Sequence, residues 1–135
     1  MIRVENVSKA FPDRVVLRNI TAEFANGMTN LIIGQSGSGK TVLMKSIVGL
    51  HEVDEGDIYY GDTHFNSLSF NGKKALRQKV GMLFQGSALF DSATVEENVM
   101  FPLDMFSEMS KEEKIERVNF CLKRVDMLDT NSLYP

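Results

Sequence analysis

The sequence predicts an α/β layer fold carrying a phosphate-binding loop, on three observations. The stretch Gly34-Gln35-Ser36-Gly37-Ser38-Gly39-Lys40-Thr41 fits G-x-x-x-x-G-K-[ST] at every required position. A short apolar, β-branched run precedes it, and apolar residues at helical spacing follow it. Residues 1–30 alternate in the manner of antiparallel strands.

The loop explains its own residue types. A polyphosphate needs many donors at close range, so the chain must wrap it with backbone N–H groups. Gly34, Gly37 and Gly39 allow that approach, and Ser36 and Ser38 are small enough to share the bend. The following helix N-terminus adds unpaired amides and a favourable dipole. In this motif Lys40 reaches the β- and γ-phosphates and the Thr41 hydroxyl ligates Mg²⁺. A dinucleotide-type G-x-G-x-x-G is excluded, because Ser36 stands where its second glycine belongs. The predicted ligand is a nucleoside triphosphate, and the predicted core is that of a P-loop NTPase (RecA-like).

In chain order, Ile2, Val4 and Val7 against Arg3 and Glu5 predict a strand, with residues 8–13 as a loop. Val15, Val16 and Leu17, then Ile20, Ala22 and Phe24, predict a second strand. Asn26-Gly27 predicts a hairpin turn into a buried strand, Leu31-Ile32-Ile33. Val42, Leu43, Met44, Ile47 and Val48 predict the helix after the loop, stopped by Gly49. Residues 56–60 predict a strand ended by Gly61-Asp62, and a short polar helix runs from Asn71 to about Lys79. Residues 80–84 read as a parallel strand covered on both faces. Thr94-Val95-Glu96-Glu97 and Ser110-Lys111-Glu112-Glu113 are capping boxes opening two helices. Pro102 is expected to end the first. Ile115, Val118, Leu122 and Val125 give the second an apolar face, with Cys121 as core filler beside it.

The 135 residues make about one domain, and 43% hydrophobic content can build a core. A net charge of −3 offers no electrostatic footprint for nucleic acid. The basic run Lys73, Lys74, Arg77 and Lys79 reads as a solvated helix face. One cysteine rules out an internal disulfide and fits a reducing compartment. Neither a secretory h-region nor a membrane-length apolar run occurs, so the expectation is a soluble, cytoplasmic chain.

Around the loop, the order of features resembles the ATP-binding cassette (ABC) ATPase domain. Phe11 resembles the family's adenine-stacking aromatic and Val16 the apolar neighbour under the base; by position alone Phe11 could equally be core. Gln85, at the end of the predicted strand 80–84, resembles the family's Q-loop glutamine. The resemblance implies that its amide oxygen contacts Mg²⁺, lies near the attacking water and reports nucleotide state to a membrane partner. The run Gly81-Met82-Leu83-Phe84-Gln85-Gly86-Ser87-Ala88-Leu89-Phe90 is similar to the Mla-type branch that moves phospholipid between membranes.

That resemblance implies an antiparallel β part over 1–30, a P-loop core with the Q-loop over 31–100 and the start of a helical subdomain over 101–135. It further implies ATP and Mg²⁺ as cofactors, Lys40 and Gln85 as catalytic groups, and Thr41 and Gln85 as metal ligands. The implied partners are a second ATPase subunit, as a homodimer, and a transmembrane permease touched from about Gly86 to about Phe101. The place of action would be the cytoplasmic face of the bacterial inner membrane. No Leu-Ser-Gly-Gly signature and no strand ending in Asp-Glu occurs, and His51 and His64 come too early to be the switch histidine. The expectation is an N-terminal fragment that binds Mg-ATP and does not hydrolyse it. A small P-loop kinase and an ABC-type ATPase outside transport are the alternatives.

Overall fold

The computed structural model describes residues 1–84, 86 and 88–135, and divides into two compact units, Met1–Met82 and Leu83–Pro135.

The first unit is built on a four-stranded antiparallel sheet in the order β2-β1-β3-β4. The strands are β1 (Ile2–Phe11), β2 (Arg14–Phe24), β3 (Glu55–Tyr60) and β4 (Thr63–His64), with helices α1 (Lys40–Ile47) and α2 (Phe70–Arg77). Val4, Val7, Leu17 and Ile58 from the sheet meet Leu43 and Ile47 of α1 and Phe65 in one buried core. Apolar burial on this scale is the main favourable term in forming the unit.

β1 continues through residues 8–11, where the alternation predicts a loop. Lys9, Ala10 and Phe11 pair with Leu17, Val15 and Arg14, so only Pro12 and Asp13 make the turn. The register shifts three times between Val4 and Ala10. Asn6 and Asn19 lie on the two paired strands with left-handed backbone, φ 52° and 48°. Such bulges break the two-residue period and hide the strand from a pattern reading.

Neither apolar run expected as a buried parallel strand pairs with a strand among the described residues. Residues 31–33 have no ladder; Leu31 is 82% and Ile33 81% exposed, and only Ile32 packs on the core. Residues 80–84 are likewise irregular, with Leu83 95% exposed. A strand needs neighbours for its N–H and C=O groups. Apolar composition announces two covered faces without supplying the cover. Asn26-Gly27 does form a turn, though no strand follows it.

In the second unit, α3 (Val95–Phe106) and α4 (Lys111–Arg124) both open on complete capping boxes. Thr94 Oγ1 accepts from Glu97 N and Glu97 Oε2 from Thr94 N; Ser110 and Glu113 repeat the exchange. Pro102 lies inside α3 and does not end it. Its missing N–H costs one backbone bond, and the helix continues for another turn to Phe106. Val118 and Leu122 are buried on α4, while Val125 sits past the helix end and is 63% exposed. The expected apolar face therefore stops one turn early. Cys121 is a half-buried free thiol. No helix among the described residues is long and apolar enough to cross a membrane.

Candidate phosphate-binding site

The loop of residues 34–39 feeds α1 through Gly39, the N-cap, at φ 95°. No side chain caps this helix and no acidic residue stands in its first turn. The first-turn amides are therefore left for an external acceptor, where the helix dipole favours an anion. An ideal Cβ on Gly39 would lie 3.1 Å from the Val16 carbonyl oxygen, Val16 Cγ1 and Leu17 Cδ2. One on Gly34 would lie 2.8 Å from Ser38 Oγ. At Gly39 a side chain would press on β2, and at Gly34 it would displace the Ser38 hydroxyl.

Lys40 Nζ donates to the Gly34 carbonyl at 2.9 Å and the Gln35 carbonyl at 2.8 Å. Ser38 N donates to Gln35 O at 3.2 Å and closes the bend. A hollow of about 140 Å³ is lined by Arg14 and Val16 of β2 and by residues 37–42. Lys40, Thr41, Gly37, Ser38, Gly39 and Val16 thus come together as one cradle. Ser36 and Gly34 belong to the loop but do not line the hollow.

Phe11 also stands outside that lining. Its ring is 38% exposed and meets His51 edge-on at 5.6 Å between centroids. Gln85 lies outside the described residues. His51 and His64 are half-buried and engaged. His64 Nε2 is 2.7 Å from Asp57 Oδ1, and its ring stacks on Tyr59 at 5.0 Å.

Three residues that the sequence pattern does not flag support the site. Arg14 Nη2 donates to the Gly37 carbonyl at 3.4 Å and brings a second cation to the hollow. Its signal is its place, paired opposite Phe11 across the hairpin. Arg77, read from sequence as part of a solvated face, instead donates from Nε and Nη2 to the Val48 and Gly49 carbonyls at 3.2 and 3.1 Å. It closes the C-terminal end of α1, where a cation is favoured. Asp54 accepts from Lys9 Nζ and from Ala10 N, both at 2.6 Å, and so pins the end of β1 that carries Phe11.

The bond from Lys9, and then that from the Ala10 amide, hold the Asp54 carboxyl below the ordinary aspartate value of 3.8. Its ionised form is favoured by folding, so its contribution is present above about pH 4 and is lost as pH falls through the depressed folded value. Asp54→Asn is expected to lower the thermal midpoint at pH 7 and to flatten its decline as pH falls below about 4. Melting curves across that range check both.

Among the described residues no three His, Cys, Asp or Glu side chains gather as a metal site. The donor set would instead suit a hard cation carried in on phosphate oxygens.

A glycine-closed bend on an uncapped helix N-terminus, with lysine in the motif position, defines a P-loop nucleotide-binding protein. Residues 17–134 match the family model described as "ABC transporter", and the chain belongs to that family. It is 35% identical to "Methionine import ATP-binding protein MetN" of Clostridium tetani, across 100% of this chain and 42% of that protein. It is 34% identical to "Arginine transport ATP-binding protein ArtM" of Bacillus subtilis, across 100% of this chain and 56% of that protein. Among solved structures it resembles the "Dimeric structure of a post-hydrolysis state of the ATP-binding cassette MJ0796 bound to ADP and Pi". That match has a TM-score of 0.88 and 29% identity, covering 100% of this chain and 62% of the other. The chain therefore spans less than two thirds of each of these proteins. The fold is that of part of an ABC cassette, and its described strands form one antiparallel sheet.

Proposed function

We propose that the chain is the nucleotide-binding portion of an ABC transporter ATPase and that it binds Mg-ATP through the loop 34–41. The observation that carries this is the uncapped start of α1 beside the Lys40 ammonium, in a bend whose Gly37 and Gly39 take left-handed backbone. Lys40 exchanges its two carbonyl acceptors for the β- and γ-phosphate oxygens, a stronger charge-assisted pairing. The amides of residues 37–41 hold the remaining phosphate oxygens. Ser36 and Ser38 keep the bend small, and Thr41 offers its hydroxyl to the cation. Mg²⁺ held there would supply positive charge against the phosphates. Phe11 and Val16 take the adenine, with Asp54 holding the Phe11 end of β1 in place. Gln85 adds its amide oxygen to the cation and orients water in the complete polypeptide.

Residues 1–30 serve as the antiparallel β part, 31–100 as the P-loop core with the Q-loop, and 101–135 as the start of the helical subdomain. In the complete polypeptide, γ-phosphoryl transfer to water is driven by positioning and electrostatics, and a second copy closes over the nucleotide. The stretch from about Gly86 to about Phe101 meets a transmembrane permease on the cytoplasmic face of the membrane. For cargo, the relatives named above are called methionine import and arginine transport proteins and lend no support to lipid. Lipid rests on the run 81–90 alone, and small-solute transport is the reading preferred.

Fluorescent ATP analogue titrated with Mg²⁺ into the 135-residue chain is expected to saturate, to be displaced by ATP and ADP, and to show no phosphate release. A linear, undisplaced signal would overturn the binding assignment. Turnover abolished by Lys40→Ala would overturn the expectation of inactivity.

A further inference from the structure

We propose that the first unit carries a second site, for a small oxyanion, at the far end of α1 from the phosphate loop. A cavity of about 270 Å³ opens there, lined by Ser46 and Gly49 of the α1 end, by β3 and by α2, and it shares no residue with the hollow at the loop. Ser46 is 1% exposed, and its hydroxyl has no hydrogen-bond partner among the described residues. A buried hydroxyl left unpaired is costly, and such a group is a standing request for a ligand.

Two cations line the same cavity. Arg77 spends Nε and one Nη2 bond on the Val48 and Gly49 carbonyls, which offsets the negative end of α1. The rest of its donor fork is uncommitted among the described residues. Lys73 lies 5.6 Å over the Phe65 ring and forms no ion pair among the described residues. Asn66, a further polar wall, is partly used: Oδ1 accepts from Ile58 N at 2.9 Å and one Nδ2 hydrogen goes to Gly56 O at 3.4 Å. The lining carboxylate, Glu52, is exposed. The groups left over are a hydroxyl, an ammonium, a guanidinium edge, the second Nδ2 hydrogen of Asn66 and the His51 imidazole, all able to donate, the imidazole through whichever ring nitrogen carries its proton. That set fits a phosphate or carboxylate group and does not fit a cation.

The inference stands apart from the nucleotide assignment, and its test keeps them separate. Inorganic phosphate and acetate are titrated in turn into the full chain carrying Lys40→Ala, with backbone amides followed by NMR. Saturable shifts are expected at Ser46, Gly49 and Asn66 with at least one of the two anions, and the anion that saturates names the group. Lys73→Met should weaken that binding about tenfold or more, and Ser46→Ala should weaken it too. Lys73→Gln repeats the test should Lys73→Met lose its dispersed spectrum. Shifts confined to residues 37–42, a non-saturating response to both anions, or unchanged affinity in the folded Lys73 variant would overturn the site.

Discussion

Lys40→Ala is expected to raise the Kd for Mg-ATP by about ten- to a hundredfold, the loss of one or two hydrogen bonds to charged groups. The same change should move the thermal midpoint little. In the nucleotide-free chain the ammonium bonds only to the exposed carbonyls of Gly34 and Gln35, which water can satisfy in its place. That split between binding and stability is the informative part. A Lys40→Arg variant keeps the charge but not the compact ammonium, and the tight bend should reject most of its reach. Equal affinity in the wild type and Lys40→Ala would remove the lysine from the site, whatever its motif position.

Gly56→Ala should destabilise the first unit by more than about 3 kcal/mol, a large part of the stability of a small domain. Gly56 has φ +82°, and an added Cβ would lie 2.4 Å from the carbonyl oxygens of both Glu5 and Asn6. Those are backbone atoms of β1, so relief requires β1 and β3 to part at their bulge, beside Val4, Val7 and Ile58 of the core. Gly61→Ala is the matched control: φ is +58°, but nothing lies within 4 Å of the added atom. It should cost only the left-handed strain, about 1–2 kcal/mol. Urea unfolding followed by circular dichroism compares the two. Equal midpoints would mean that the close approach of β1 at Gly56 is absent in solution.

Features held by short-range bonds were legible from residue order. The phosphate loop, the stop at Gly49, the turns at Asn26-Gly27 and Gly61-Asp62 and both capping boxes each close within a few residues, so the pattern and its partner are read together. Of the residues named through the motif and its family order, Val16 and 37–41 line the hollow, while Phe11, Gly34 and Ser36 do not. The roles of Arg14, Asp54 and Arg77 were not legible. Arg77 caps a helix 28 and 29 residues away, and Asp54 reaches an amide 44 residues back. Pro102 misled because a proline's cost to a helix can be outweighed by packing and a good cap elsewhere on it.

Residue order determined the phosphate loop and the local starts and stops, since a bend of backbone amides demands glycines and a lysine in one short run. Packing in three dimensions settled what pairs with what: that β1 runs on through its bulges, that residues 31–33 and 80–84 lie unpaired, and that Arg77 leaves the basic helix face to close α1. Those outcomes depend on distant hydrogen-bond partners, and no local pattern of apolar and polar residues records where such partners will be.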